Sequence, residues 1–306
     1  MSASSSSCRV ASHAGSWYTD DPVALAQQFE RWLQGVGELA VDPQSTRVRA
    51  IISPHAGYSY SGPTAAYGFK HMLPADIQRI FILGPSHHHY TKICELSRHA
   101  TYATPLAPLQ LDHAVIAALR STRAFADMST TVDEEEHSIE MQLPFLAHVM
   151  RERKQPFTIV PILVGALSTK AEAEFAKILQ PYFADPANFF CISSDFCHWG
   201  SRFSYQYREG GSGPTSGIHE EIERLDRRGM SLIEAQDADG FAAYLAETRN
   251  TICGRHPIGV LLRLLEQTPT VKHSVKCLHY AQSSPVKSMS QSSVSYVSAI
   301  VTADRK

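Results

Sequence analysis

Four short apolar runs, each rich in branched or aromatic side chains and each ending in turn residues, most strongly constrain the fold of this 306-residue chain. They are RAIIS at 49–53, RIFILG at 79–84, FTIVPILVG at 157–165 and FFCISSD at 189–195. The runs lack the apolar–polar alternation of a strand with one wet face, so we expect strands buried on both faces. Such strands belong to parallel or mixed sheets covered by helices, which predicts the α/β class.

Segments with the apolar spacing of amphipathic helices accompany these runs. The first is PVALAQQFERWL at 22–33, and further helices are predicted near 170–183, 216–235, 239–247 and 254–267. Two late segments, 274–284 and 293–301, alternate more and are predicted to be closing strands, antiparallel or at an edge. We therefore predict a mixed central sheet flanked by helices in one domain over residues 9–303. A disordered Ser-rich tail is expected at 1–8 and a flexible loop at 208–217.

Composition narrows the classes of partner and compartment. The formal net charge is -2, so no global basic field exists to attract nucleic acid or an anionic membrane. No apolar run approaches the roughly 20 residues that span a bilayer, and the N-terminus lacks a secretory signal pattern. The six cysteines are scattered without a Cys-x-x-Cys pair, which favours free thiols. We expect a soluble intracellular protein in the cytoplasm, with the nucleus as a second location.

Histidines follow three of the four apolar runs. His55 lies in SPHAGY, His87 in GPSHHH and His198 in SSDFCHW. Ligands of open α/β sheets bind outside the carboxyl ends of the strands, so these side chains are predicted to converge on one crevice. His88 and His89 are interpreted as surface residues, because successive side chains on extended backbone point to opposite sides.

Two more groups could join this crevice. Asp195, three residues before His198, is placed to orient an imidazole or to act as a ligand itself. Cys253 begins a predicted helix whose first turn holds Arg255 and His256, an environment expected to lower the pKa of the thiol.

The segment DEEEHSIEMQLPF at 133–145 is typical of a helix start, with acidic residues before an apolar-periodic run. Residues 133–136 are interpreted as a solvated first turn. His137 and Glu140 are three residues apart and share a helical face, so they either border the same crevice or lie on the surface.

The motifs SHAGSWY, PHAGY, GPSHH, EEHSIE, SSDFCHWG, TICGRHPIGVLL and YAQSS occur in this order between residues 8 and 301. By these motifs the chain resembles the Memo family, found from archaea to animals, whose animal members mediate cell motility driven by receptor tyrosine kinases. The resemblance implies a fold similar to the class III extradiol (LigB-type) non-haem iron dioxygenases.

The resemblance also implies site residues. A metal pocket of two histidines and one cysteine falls on His55, His87 and Cys253, and Asp195 and His198 match further pocket positions. Aromatic residues implicated in peptide binding in the family match Trp17 and Tyr60.

Two imidazoles and one thiolate favour copper, zinc or ferrous iron over magnesium or calcium. Our first hypothesis is a redox-active protein that uses copper, or else iron, with zinc as a third choice, on a small molecule or oxygen species, and whose activity is linked to signalling, cell motility or cytoskeletal control. His198 would act as acid/base and Asp195 would orient it. Extradiol dioxygenase activity is not expected, because iron in a facial triad is bound by a carboxylate at the position where this chain has Cys253.

The second hypothesis is a non-enzymatic adaptor that binds phosphotyrosine peptides of signalling proteins in the same cleft. Arg255 and the histidines would contact the anion, while Trp17 and Tyr60 flank the ring. A third is a scaffold with a vestigial pocket that acts through its outer surface.

Overall fold

The structure, a computed structural model, describes residues 7–38, 41–208 and 217–305, and these contain twelve strands and ten α-helices. The strands are β1 (Cys8–Arg9), β2 (Thr46–Ser53), β3 (Arg79–Pro85), β4 (Cys94–Leu96), β5 (Thr101–Tyr102), β6 (Leu109–Gln110), β7 (Phe125–Asp127), β8 (Thr158–Val164), β9 (Asn188–Ser193), β10 (Asp195–Trp199), β11 (His273–Gln282) and β12 (Ser293–Asp304). The helices are α1 (Pro22–Gly35), α2 (Tyr58–Lys70), α3 (His113–Ser121), α4 (Thr130–Glu135), α5 (His137–Glu140), α6 (Leu143–Met150), α7 (Thr169–Ala184), α8 (Ile218–Glu234), α9 (Ala238–Thr248) and α10 (Arg255–Glu266).

One large mixed sheet organises these elements. Its strand order is β10-β12-β2-β9-β3-β8-β4-β7, and β11 pairs with β12 beside this path. The strands β2, β9, β3 and β8 are mutually parallel, whereas β12 is antiparallel to β2 and β4 is antiparallel to β8. The predicted α/β class with a mixed sheet flanked by helices is confirmed. A second, three-stranded sheet joins β1, β5 and β6.

The four parallel strands are the apolar runs of the sequence, and their middle residues pair directly across the sheet. Ile51 of β2 pairs with Cys191 of β9, which pairs with Ile82 of β3, which pairs with Pro161 of β8. The strands therefore end close together, and the loops after β2, β3 and β9 leave the sheet at one edge.

Helices cover both faces because side chains alternate along each strand. Ile51 lies against Gly68 of α2. On the other face, Phe190 stacks on Phe81 with ring centroids 4.7 Å apart and meets Phe183 of α7 at 5.1 Å. Burial of each such side chain stabilises the fold by roughly 1.5–3 kcal/mol.

The predicted helices and the antiparallel closing pair of strands are confirmed, although β12 lies inside the sheet between β2 and β10 rather than at an edge. Of the predicted disordered tail, residues 1–6 lie outside the described residues, whereas Cys8 pairs with Thr101 in the small sheet. The predicted loop also lies outside them over 209–216. None of the described helices combines the length and apolar character needed to cross a bilayer.

Candidate metal centre

Three histidines converge where the parallel strands end. His55 follows β2, His87 follows β3 and His137 begins α5, and one ring nitrogen from each lies within 4.8 Å of the other two. His55 is fully buried, while the side chains of His87 and His137 are 25% and 12% exposed. The carboxyl ends of β2 and β3 lie at the same edge of the sheet and bring His55 and His87 together. The helix α5 packs against β3 and adds His137.

A hydroxyl and an amide fix the proton position on His55. The Ser193 hydroxyl donates to the Ser138 carbonyl at 2.7 Å and accepts from Gln142 Nε2 at 2.9 Å. Its contact of 2.8 Å with His55 Nδ1 must then be donated by the imidazole, which leaves Nε2 as the acceptor nitrogen with a lone pair. Burial, and then the neighbouring histidines, holds the pKa of His55 well below its usual value, so the ring is a neutral, ligand-competent imidazole.

A buried carboxylate orients His87. Glu136, only 2% exposed, accepts from His87 Nδ1 at 2.8 Å through Oε1 and from the His87 backbone N–H at 2.7 Å through Oε2. Burial alone would lower the pKa of His87, but contacts with Cys253 and Glu136 raise it to about 10. The pKa of Glu136 falls to about 2 despite burial, because its carboxylate is bonded to His87. Carboxylate partners of this kind fix ligand histidines in metal sites.

The interpretation of residues 133–136 as a solvated turn is wrong for two of them. Asp133 and Glu136 are 3% and 2% exposed, because Asp133 pairs with buried Arg9 and Glu136 reaches back to His87. The sequence analysis therefore missed Glu136, although its place directly before His137 in EEHSIE could have drawn attention to it.

The ring of His137 lies between two other rings. Its centroid is 4.2 Å from that of His87 and 4.4 Å from that of Trp17. Burial, followed by the charge of His87, lowers the pKa of His137 to about 3. Its Nδ1 is buried and has no hydrogen-bond partner among the described residues, which costs free energy unless a bound group satisfies it.

Cys253 contacts two of the three histidines, His55 and His87. Its thiol donates to His55 Nε2 at 3.1 Å and accepts from the Asp195 backbone N–H at 3.2 Å. The predicted lowering of the thiol pKa is wrong, because burial raises the pKa of Cys253 although His87 acts in the opposite direction. A bound metal ion would have to displace the thiol proton.

Asp195 and His198 both lie in β10 near the centre, but they do not contact each other as expected. The Asp195 carboxylate accepts from the His55 backbone N–H at 2.8 Å, and burial raises its pKa to about 7. His198 Nδ1 instead donates to the Phe196 carbonyl at 2.9 Å, and the His198 backbone N–H donates to Thr251 Oγ1 at 2.7 Å.

The histidine cluster forms the floor of a cleft of about 770 Å³, a size suited to a small molecule or a side chain. Asp195 and His198 line it as well. Trp17 and Tyr60, 37% and 60% exposed, lie at the same cleft. Further polar side chains on its walls are Ser16, Ser59, Arg202, Ser283, Ser284, Ser292 and Ser293.

Two predicted site residues lie elsewhere. Arg255 lines a different cleft, beside Glu172 and His256. Glu140 is completely buried and binds the N-terminal segment, accepting from Arg9 Nη1 and Tyr18 Oη at 2.8 Å each. Glu140 thus acts on the cleft only through the chain segment that carries Trp17.

Fold and site together define a mixed α/β protein with a histidine-lined cleft at the carboxyl edge of its parallel strands. Residues 9–300 match the family described as Memo-like protein. "Protein MEMO1" of Rattus norvegicus and of Homo sapiens are each 49% identical over 299 residues, 96% of this chain and 97% of theirs. "Protein memo-1 homolog" of Caenorhabditis elegans is 46% identical over 297 residues, 96% of this chain and 82% of its own. The chain belongs to the Memo family.

A solved structure supports the fold alone. An uncharacterised protein from Escherichia coli K12 superimposes with a TM-score of 0.50 at 10% sequence identity, covering 81% of this chain and 99% of its own.

Proposed function

We propose that this Memo-family protein binds a transition-metal ion at His55, His87 and His137, with Cys253 as an additional ligand, and uses it in redox chemistry. The observation that carries the proposal is the convergence of three imidazoles, with one ring nitrogen of each within 4.8 Å of the other two. A cation would bind the lone pair of His55 Nε2, which accepts from the Cys253 thiol until the thiol proton is displaced.

The donor set fits soft or borderline metals. Imidazole and thiolate suit copper, iron and zinc rather than magnesium or calcium. Ligand atoms on one tetrahedral ion lie about 3.5 Å apart, so the 3.1 Å between Cys253 Sγ and His55 Nε2 is compatible with a shared ion. We propose copper first and iron second, because both cycle between oxidation states, and zinc third.

The protein's own groups prepare the site. When bound, the metal would supply Lewis acidity and one-electron chemistry. Ser193 and Glu136 hold the two strand-end imidazoles by Nδ1, so Nε2 is the nitrogen that would face the ion. Because the pKa of His87 is about 10, an ion would have to displace the proton on its Nε2. His198 keeps its Nδ1 on a backbone carbonyl, so its Nε2 is the nitrogen that can take or give a proton to a substrate in the cleft. Trp17 covers one side of the His137 ring.

A second candidate is the non-enzymatic adaptor that binds phosphotyrosine peptides in the same cleft. The exposed aromatic rings of Trp17 and Tyr60 at the cleft favour it. The anion contact would come from Arg202, which lines this cleft and has no carboxylate partner among the described residues, rather than from Arg255. Such binding needs no metal.

We further propose that the protein acts in the cytoplasm, with the nucleus as a second location. All six cysteines are free, which fits a reducing compartment.

The test is an anaerobic titration of untagged protein with copper(I) and with iron(II), read out by elemental analysis and by competition with a chelator. We expect about one ion per chain, with at least tenfold weaker binding in His55→Ala and His137→Ala. His113→Ala is the matched control, because it removes an exposed histidine from α3 and should leave affinity unchanged. Unchanged affinity in His55→Ala would refute the site.

Two further arms separate the ligand sets and the alternative. Loss of affinity in Cys253→Ser would make the thiolate a ligand, whereas retained affinity would leave the three histidines as the site. A phosphotyrosine peptide that binds in the presence of chelator, but not to Trp17→Ala, would support the adaptor instead.

A further inference from the structure

A second cleft of about 440 Å³ lies away from the histidine cluster, among α7, α9 and α10. Its volume is within the range of small-molecule sites. Phe241 and Leu245 of α9 and Leu167 before α7 give it an apolar wall. Nothing in the proposed metal function uses this cleft.

Two cationic side chains lie at this cleft without an acidic partner. Arg249 and Arg255 are both exposed, and neither pairs with a carboxylate in the described part of the chain. Arg255 makes one side-chain hydrogen bond, to the Ile252 carbonyl at 3.3 Å. Arg249 ends α9 at a φ of 53°, a left-handed position that favours glycine. The cleft therefore offers an anion two guanidinium groups that no carboxylate neutralises among the described residues.

Two buried acceptors line the same cleft. Glu172, 8% exposed, accepts from His256 Nδ1 at 2.8 Å through Oε1, and its Oε2 has no donor among the described residues. Its close approach to α10 depends on Gly259, where a β-carbon would lie 2.5 Å from the carboxylate carbon. The site thus holds a carboxylate that can still accept from a ligand.

Asn250 supplies the second acceptor. Its Nδ2 donates to Asp226 Oδ1 at 3.0 Å and to Tyr244 Oη at 2.7 Å, and the acceptor-only carboxylate fixes the orientation of the amide. The Asn250 Oδ1 is consequently a buried acceptor that has no donor among the residues described. An uncompensated acceptor of this kind calls for a ligand donor or a water molecule.

We propose that this cleft binds a free α-amino acid with an apolar side chain. Its carboxylate would pair with Arg249 and Arg255, its ammonium group would donate to Glu172 and Asn250, and its side chain would pack on the apolar wall around Phe241. A simple anion would leave both acceptors without donors, and a simple amine would leave both guanidinium groups unpaired. A zwitterion with an apolar body satisfies all three features.

The test is calorimetric titration of the full chain with L-leucine and L-phenylalanine, in the presence of a metal chelator so that neither is held through a metal ion. We expect saturable binding to the wild type. Arg249→Gln and Arg255→Gln should each weaken it about tenfold, the usual effect of losing one charge-assisted hydrogen bond. 4-Methylpentanoate and 3-methylbutylamine, which each lack one charged group, should also bind about tenfold more weakly.

Two variants make the result specific. Arg31→Gln removes an exposed arginine from α1 and should retain full affinity. Ala242→Trp, at a half-buried position of α9 that lines the cleft, should abolish binding while the thermal unfolding midpoint stays at the wild-type value. The proposal is overturned if the wild type shows no saturable binding, if 4-methylpentanoate binds as well as leucine, or if a folded Ala242→Trp protein binds leucine normally.

Discussion

Replacing Asp226 by asparagine should remove most of the pH dependence that this one carboxylate gives to the free energy of unfolding. Asp226 of α8 is completely buried, and its carboxylate accepts from Asn250 Nδ2 at 3.0 Å, Tyr280 Oη at 3.1 Å and the Cys197 backbone N–H at 3.3 Å. Burial raises the pKa of Asp226 to about 6 from its ordinary value of 3.8, although these hydrogen bonds act in the opposite direction.

The sign follows from which state holds the proton more tightly. Below pH 3.8 the carboxyl group is protonated in both the folded and the unfolded chain, so it makes no difference to stability. Between that pH and about 6 only the folded chain keeps the proton, so the free energy of unfolding falls as pH rises. Above about pH 6 the loss is complete, and the interval corresponds to about 3 kcal/mol at about 1.4 kcal/mol per pH unit.

Asparagine keeps one acceptor oxygen for Asn250 and Cys197 and carries no charge. Its new N–H groups require Tyr280 to turn its hydroxyl toward Ser295, a rearrangement that costs about 1 kcal/mol. We therefore expect Asp226→Asn to be more stable than the wild type by about 2 kcal/mol at pH 7, with little or no gain at pH 4.

The assay is urea unfolding of both proteins at several pH values from 4 to 8. Asp195 also has a raised pKa, but it is present in both proteins, so the difference between the two curves isolates Asp226. A difference in stability that does not change with pH would refute the assignment of this dependence to the buried carboxylate.

Three further substitutions test the support around the metal centre. Glu136→Gln should weaken metal binding by about 10–100-fold, because His87 loses its charged partner. Glu95→Gln, which removes the carboxylate beside exposed His89, should leave metal binding unchanged. Equal effects of the two substitutions in a chelator competition would contradict the role of Glu136. Arg9→Met leaves the buried carboxylates of Asp133 and Glu140 without their cationic partner, so it should lower the free energy of unfolding in urea by about 3–5 kcal/mol. A decrease below about 1 kcal/mol would show that the remaining hydrogen bonds are enough to stabilise these carboxylates. Gly84→Ala places a β-carbon 2.8 Å from a side-chain carbon of α5, so it should lower the free energy of unfolding by about 1–3 kcal/mol and should also weaken metal binding. Loss of stability with unchanged metal affinity would show that the histidine on α5 is not a ligand.

The sheet edge could be predicted because its physical cause is local. Each apolar run was long enough to be a doubly buried strand, and the side chains that follow parallel strands must meet at one edge. This reasoning placed His55 and His87 correctly beside each other. The same argument reached Asp195, since β9 ends two residues before it.

The third histidine could not be settled in this way. His137 and Glu140 are three residues apart, and in a long helix that spacing would put both on one side. The helix α5 is only four residues long and is preceded by extended backbone at Glu136, so its side chains follow the packing around it. His137 stacks on His87 while Glu140 pairs with Arg9, an arrangement that depends on where the N-terminal strand lies.

Arg255 shows the opposite error, in which closeness along the chain was taken for closeness in space. Gly254 separates it from Cys253 and lies against the end of β9, where a β-carbon would be 2.4 Å from the Ser193 carbonyl oxygen. At this contact the chain turns into α10, so Cys253 faces the histidines while Arg255 lies at the second cleft. One short segment therefore forms part of two chemically different clefts, and a substitution in it has to be tested in both before an effect is assigned to either.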